Sequence, residues 1–355
     1  MTRLHLMGDV AFTEASRGDW IAPDVAAWLC TGLGIANLEC VLGGPEAPPE
    51  RLVVRGPTEA AGWLRAAGVG LVTLANNHIT DLGADGLSAT CAALDAAGVA
   101  HVGCGLSESE ARAPRLVVHD GLTLGVIGRL DPRSFSQPER CIARGPRAGA
   151  AALDVDEAVA TAHRLRAQGA DLTICLLHWG IQGIPLLPSW LAEPMARLGA
   201  AFDIVAGTHA HILQPARADA ASVRICGMGN LHFAPLRHAG RVHYAEPGID
   251  RLAAVFTVTR EPAAGTLSLE VRPTTQAMTH NRVQFLGPAA ASLVRAAVLG
   301  APERAPLLFD AAWRAKELTS LGRYAWRERR SLARRHLDAE LPGKLWRSLR
   351  TPKSR

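Results

Sequence analysis

Asp171-Leu172-Thr173-Ile174-Cys175-Leu176-Leu177-His178-Trp179-Gly180 runs from an acid to an imidazole with no charge between them. Six largely apolar residues between polar ones are too few for a core helix and read as a buried strand. Stretches with helical spacing of apolar residues flank it, Asp154–Gln168 before and Ser189–Leu198 after, and Ile204-Val205-Ala206 then reads as another strand. Strand–helix alternation of this kind means an α/β sheet covered by helical layers. The strand also runs into a histidine close to a glycine, and that arrangement recurs along the chain.

Working outward, further strands are expected at Arg3–Met7, Leu33–Asn37, Leu71–Ala75, Arg115–His119, Leu122–Gly128 and Val223–Met228, with further helices at Pro57–Ala67 and Asp85–Ala97. Asp85, Asp154 and Ser189 are plausible helix N-caps, and Gly68, Gly98, Gly169 and Gly199 plausible stops. Leu252–Thr259 and Thr266–Pro273 read as a late antiparallel pair. From about Pro288 the pattern is helical only, so one catalytic domain is expected over 1–287 and a basic helical C-terminal extension over 288–355.

Five clusters of metal-ligand residue types follow these apolar runs: Gly8-Asp9, Asn37-Leu38-Glu39, Asn76-Asn77-His78, His178-Trp179-Gly180 and Gly207-Thr208-His209-Ala210-His211. Carboxylates, an amide oxygen and imidazoles leaving a sheet at one end are the donor set of a divalent-metal hydrolase. Asp9 alone is weak, since an acid at a strand end often caps the next helix. Asn37 and Glu39 share a face if the strand persists, so Glu39 can bridge two cations while Asn37 orders it; a solvated strand-end acid is the alternative. Two asparagines are costly in a strand; an amide oxygen there can ligate a hard cation, and His78 can protonate a leaving oxygen. Asp81 would orient His78 by accepting its second N–H. His209 and His211 would share a face if their segment is extended. Gly227-Met228-Gly229-Asn230 closes the series, with Asn230 and His232 as further polar contacts and a tight turn as the alternative.

Bulk properties fit this reading. The 355 residues are 48% hydrophobic and 20% charged, ordinary for a chain with a sizeable core. The seven cysteines are odd in number and lack CxxC spacing, so reduced buried thiols are expected rather than a disulfide frame or a zinc knot. The start of the chain is too short in apolar residues for a secretory leader, and no window approaches the ~18 of a membrane span, so a cytoplasmic location is expected. The net charge of +5 is uneven: residues 323–355 hold eleven Lys/Arg against three acids, leaving 27 basic and 30 acidic side chains, about −3, over 1–322.

At these residues the chain resembles the CapA family, named for a poly-γ-glutamate capsule biosynthesis protein and similar to calcineurin-like metallophosphoesterases. GD, NLE, ANNH followed by D-x-G, HWG, GxHxH and a closing GN occur in the family's order over roughly residues 3–235. The resemblance implies a metallophosphoesterase-like β-sandwich flanked by helices. It also implies two divalent metal ions, with Glu39 bridging them, Asp9 and His211 on one ion, and Asn77, His178 and His209 on the other. His78 would be the general acid, paired with Asp81. Asn37, Asn76, Trp179, Asn230 and His232 would lie around the ligands or against substrate. Three positions depart from the pattern: Val10-Ala11 follow Asp9 where phosphoesterases have Asp-x-His, Gln182 stands where an acid often follows HWG, and His232 replaces an apolar residue.

The implied activity is metal-dependent hydrolysis of a phosphorylated or polyanionic small-molecule or polymer substrate, in a role tied to poly-γ-glutamate or capsule biosynthesis. Mn²⁺ or Mg²⁺ suits the oxygen-rich half of the site, and Zn²⁺ or Fe the histidine-rich half. The alternatives are a non-catalytic accessory of a synthase, or hydrolysis of an amide-type substrate elsewhere. Through 323–355, contact with a membrane surface or acidic polymer stands against a solvated helix packing its Trp/Leu stripe; nucleic acid is not expected.

Overall fold

The computed structural model describes residues 1–47, 52–238, 241–244, 251–276 and 282–300. Strand Leu172–His178 is buried along its whole length, but its two faces meet different neighbours. Ile174 and Leu176 point into a core shared with Leu4, Leu6, Ile35, Leu71 and Phe256, whereas Cys175 and Leu177 pack with Leu165, Met195 and Leu198. A strand apolar on both sides is what a central parallel strand requires.

In chain order the elements that build the body are β1 (Thr2–Ala11), α1 (Pro23–Leu29), β2 (Leu33–Leu38), α2 (Ala60–Ala66), β3 (Val69–Thr73), α3 (Gly83–Ala96), β4 (Ala100–Val102), β5 (Arg115–His119), β6 (Leu122–Leu130), α4 (Val155–Ala167), β7 (Leu172–His178), α5 (Ala192–Ala201), β8 (Ile204–Thr208), β9 (Ala216–Ala218), β10 (Val223–Ile225), β11 (Asn230–Phe233), β12 (Leu252–Arg260), β13 (Leu267–Gln276), β14 (Val283–Phe285) and α6 (Pro288–Gly300). The first sheet has the order β14-β13-β12-β1-β2-β3-β4, with β11 also paired to β1; the second has the order β9-β10-β8-β7-β6-β5. Strands β1 to β4 run parallel, as do β6, β7, β8 and β10. The apolar cluster between the sheets makes them a sandwich; α1, α2 and α3 cover the outer face of the first sheet, and α4 and α5 that of the second. The expected β-sandwich flanked by helices is the fold found.

Boundaries moved where local signals conflicted with packing. Asp154 caps α4 by accepting from the Glu157 backbone N–H at 3.1 Å, as expected. Asp85, expected as a cap, instead lies in the first turn of α3, where its charge complements the helix dipole. Gly199, expected as a stop, lies inside α5, and Ser189 opens a short 3₁₀ turn ahead of it. The strand expected at Val223–Met228 ends at Ile225.

The first strand does not end at Gly8-Asp9. Antiparallel pairing of β1 with β12 runs through Leu6; beyond a register irregularity, β1 pairs in parallel with β11, Asp9 opposite Asn230. The Asp9 N–H donates to Gly229 O at 3.0 Å. A Cβ on Gly8 would lie 1.8 Å from that same oxygen, so this crossing admits only glycine.

Met1–Arg304 form one compact unit. Of the segment expected as a C-terminal extension, the described part is α6, which buries Ala291 and Val298 and packs against β13. The basic stretch 323–355 lies outside the described residues. No described helix is long and apolar enough to cross a membrane.

Gly8→Ala is expected to cost about 3 kcal/mol or more, because two backbones must separate. Gly62→Ala, on an open helix face with nothing within 4 Å, should stabilise by about 0.5–1 kcal/mol. Urea denaturation of both variants checks this; equal stabilities would remove the Gly8–Gly229 crossing as a constraint.

Candidate metal centre

Each cluster reaches the site from a strand or the turn after it. Asp9 sits at the irregularity of β1, Asn37 in β2, and Glu39 directly after β2 with its N–H bonded to Val10 O at 2.8 Å. Asn76, Asn77 and His78 form the turn after β3; His178 is the last residue of β7, and His209 and His211 follow β8. Asp9, Asn37, Glu39, His178, His209 and His211 are all buried.

Glu39 is the centre of the arrangement. Its Oε1 lies 3.6 Å from His178 Nε2, 3.8 Å from His211 Nε2 and 4.0 Å from His78 Nε2. Both of its oxygens are buried, and no N–H donor among the described residues reaches them. Two triplets of donor atoms converge, each within 4.8 Å of one another: Glu39, His178 and His209 form one, and Asp9, Glu39 and His211 the other. The fold thus brings together all five of these sequence-predicted residues, with Glu39 common to both groups.

The surrounding hydrogen bonds orient the donors. The Thr208 hydroxyl donates to Leu177 O at 3.1 Å, and His178 Nδ1 lies 2.9 Å from that hydroxyl and 3.3 Å from Asn37 Nδ2. His178 Nε2 lies 2.9 Å from Asn77 Oδ1 and 3.6 Å from Glu39 Oε1. Acceptors facing one another across a dry space repel unless a cation lies among them. His211 Nδ1 contacts Asn230 Oδ1 at 2.8 Å, which turns its Nε2 toward Glu39. Asn37 Nδ2 donates to Asp9 Oδ1 at 2.7 Å, and the His209 N–H to Asp9 Oδ2 at 3.2 Å.

Electrostatics separate the two acids. Burial, followed by the charge of Asp9, raises the Glu39 carboxyl well above its ordinary range. Burial would also raise Asp9, but the hydrogen bond from His211 and the nearby imidazoles outweigh it and hold Asp9 low. His178 is pushed down to about 3, mainly by burial, and stays neutral as a metal ligand must. His78 is different in kind: its side chain is 24% exposed, and its Nδ1 meets Asp81 Oδ2 at 2.9 Å. Asp81 Oδ2 also accepts the Val54 N–H at 2.9 Å, which fixes the carboxylate.

Other expected residues lie elsewhere or do something different. Asn76 ties its turn to the end of β2, donating to Asn37 Oδ1 at 3.0 Å and Leu38 O at 2.7 Å. Trp179 faces away into the outer helical core and donates to Cys226 O at 3.0 Å. His232 packs among the rings of Phe12 and Trp20, with Gln276 Nε2 3.2 Å from its Nδ1, and belongs to neither triplet. The His209–His211 segment is not extended: β8 stops at Thr208, and His209 (φ 84°) and His211 (φ 58°) both take left-handed backbone. That costly conformation sends the two rings to different triplets. Sequence reading missed Phe135, whose ring stacks on His178 at 5.9 Å and lies 4.5 Å from His209. It lies between two 3₁₀ turns, where no periodicity marks it.

Residues 3–234 match the family model of the bacterial capsule synthesis protein PGA_cap. The chain is 34% identical over 149 residues to a probable polyglutamine synthesis accessory protein of Mycobacterium tuberculosis, covering 40% of this chain and 39% of that protein. It is 27% identical over 175 residues to the capsule biosynthesis protein CapA of Bacillus anthracis, covering 48% of this chain and 41% of that protein. The chain therefore spans about two-fifths of the length of these curated relatives. Among solved structures, a hypothetical protein from Thermus thermophilus aligns with a TM-score of 0.47 at 15% identity, over 77% of this chain and 99% of that one. A putative 5′-nucleotidase from Staphylococcus aureus aligns with a TM-score of 0.45 at 13% identity, over 84% of this chain and 58% of that one. With the match extending over well more than half of the chain, the protein belongs to the bacterial capsule synthesis protein PGA_cap family.

Proposed function

We propose that this protein is a metal-dependent hydrolase with a dinuclear centre, acting on a phosphorylated or polyanionic substrate in the making or handling of a capsule-type polymer such as poly-γ-glutamate. One observation carries the reading: Glu39 is fully buried, both its oxygens lack an N–H donor among the described residues, and it stands where two donor triplets meet. A buried carboxylate of that kind is tolerable only when protonated or cation-bound. Glu39, His178, His209 and the Asn77 amide would hold one ion; Asp9, Glu39 and His211 would hold the other. Such ions supply Lewis acidity toward a phosphoryl oxygen and lower the pKa of water.

The rest falls to the chain's own side chains. His78 is the exposed imidazole at the rim of the buried donors, so it meets a leaving group first. In hydrolysis a bond from water oxygen to phosphorus forms and the bond to the leaving oxygen breaks. His78 gives its proton to that oxygen, Asp81 orients and stabilises its imidazolium, and the proton shed by the attacking water passes to solvent and restores His78. Phe135, stacked over His178 and His209, keeps water from that flank.

A second reading, a non-catalytic accessory of a polymer synthase, is favoured by the accessory role in the name of the M. tuberculosis relative. Metal content together with turnover of bis(p-nitrophenyl) phosphate separates the two. The hydrolase reading expects bound divalent metal and turnover; metal without turnover, across Mn²⁺, Mg²⁺, Zn²⁺ and Fe²⁺, would favour the accessory role.

His78→Ala should lower turnover by about 10²–10⁴-fold with metal content unchanged, and Asp81→Asn by less. His209→Ala or Asn77→Ala should lower metal content as well, as elemental analysis would show. Unchanged stoichiometry in both would reject the ligand assignment.

Glu39→Gln should stabilise the metal-free protein by about 1–3 kcal/mol at neutral pH and abolish any stabilisation by Mn²⁺. The Glu39 carboxyl is raised in the fold, so its penalty is absent below the ordinary carboxylate range and grows as pH rises through it. The advantage of the variant should therefore widen from about pH 4 toward neutrality. Thermal melts of metal-free protein across that range check it; a constant or reversed difference would show that Glu39 is not held uncharged.

A further inference from the structure

Nothing in the cysteine spacing announces a site, yet the fold brings two cysteines to one place. Cys91 lies in the second half of α3, and Cys104 follows β4 by two residues; their Sγ atoms are 3.8 Å apart. His101 in β4 completes a triplet whose donor atoms all lie within 4.8 Å of one another. Asp95, one helical turn after Cys91, places Oδ1 3.3 Å from His101 Nε2. All four residues line a cavity of about 530 Å³ that also meets Leu87 and Glu110. None of the four belongs to the carboxylate–imidazole triplets around Glu39.

We propose that Cys91, His101 and Cys104 form a second, separate metal site for a borderline-soft divalent cation of the Zn²⁺ class. Two thiols and an imidazole select such an ion over Mg²⁺ or Mn²⁺, which prefer oxygen. Two thiolates about 2.3 Å from a tetrahedral ion stand about 3.8 Å apart, the separation found here, whereas a disulfide requires about 2.05 Å. Thiols merely in contact would lie at a similar distance; the imidazole converging on both sulfurs is what a packed thiol pair does not need. The carboxylate of Asp95 beside the ring orients it, as acids do for metal-bound histidines. The hydrogen bond from Cys104, and then His101, hold the Cys91 thiol below its ordinary range while the same contact holds the Cys104 thiol above it, and each thiol proton displaced by the ion passes to solvent.

The site would clamp α3 to β4, the edge strand of the first sheet. That clamp has a direct line to the metal centre: the Leu74 N–H donates to Val102 O at 2.9 Å, two residues ahead of Asn76. Helix α3 itself begins two residues after Asp81. An ion there would hold the two ends of the segment that presents Asn77 and His78.

Titration of the full-length, reduced, metal-stripped protein with Co²⁺ tests this, because only thiolate ligation gives a near-ultraviolet sulfur-to-cobalt charge-transfer band. The band is expected in the wild type and in Glu39→Gln alike, saturating at about one ion per chain. It should disappear in Cys91→Ser/Cys104→Ser and weaken in His101→Ala. Should the double variant fold poorly by circular dichroism, protection of Cys91 from iodoacetamide by Zn²⁺ in the wild type, read by peptide mass, gives the same answer. Absence of the band in the wild type, its survival in the double variant, no Zn²⁺ protection, or isolation of the pair as a disulfide would each overturn the proposal.

Discussion

A carboxylate sealed away from water with no N–H donor is among the most costly groups a fold can contain, and among the described residues Glu39 meets none. Its surroundings make sense only as a response to that cost. The imidazole nitrogens of His178, His211 and His78 gather around it, 3.6, 3.8 and 4.0 Å from its Oε1. Burial and then the charge of Asp9 raise its carboxyl, while the hydrogen bond from His211 and the nearby imidazoles hold Asp9 low. With cations, both acids ionise and the arrangement becomes attractive throughout.

The two-sheet architecture is what gathers these groups. Parallel strands covered by helices bury both faces, so polar side chains are tolerated chiefly where strands end. The first sheet contributes Asp9, Glu39 and Asn77, all oxygen donors; the second contributes His178, His209 and His211, all imidazoles. Each donor triplet thus draws on both sheets, and its geometry depends on the apolar cluster that holds the sheets in register.

Sequence motifs gave access to the donors but not to their partition. Asp9, Glu39, His178, His209 and His211 were all visible as polar interruptions after apolar runs, and it was their recurrence at successive strand ends, not any one of them, that pointed to a shared site. Trp179 and His232 carried the same local signal and yet face other clusters, since a flanking position in a motif does not determine which side of the sheet a side chain takes. Phe135 had no signal, being placed by a loop rather than by an element with a period. The Cys91–His101–Cys104 group was illegible for a similar reason: a helix and a strand that share no spacing rule bring it together.

Read alone, the chain determined its alternation of strands and helices, its helical cover and the identity of the donor residues, because hydrophobic periodicity and ligand chemistry are properties of short segments. Tertiary structure alone decided that β1 continues past Gly8 to pair with Asn230, that His209 and His211 turn through left-handed backbone to separate triplets, and that Glu39 lies between them. The physical reason is that strand register, backbone strain and the loss of every donor around a buried acid arise only when segments distant in sequence pack against one another.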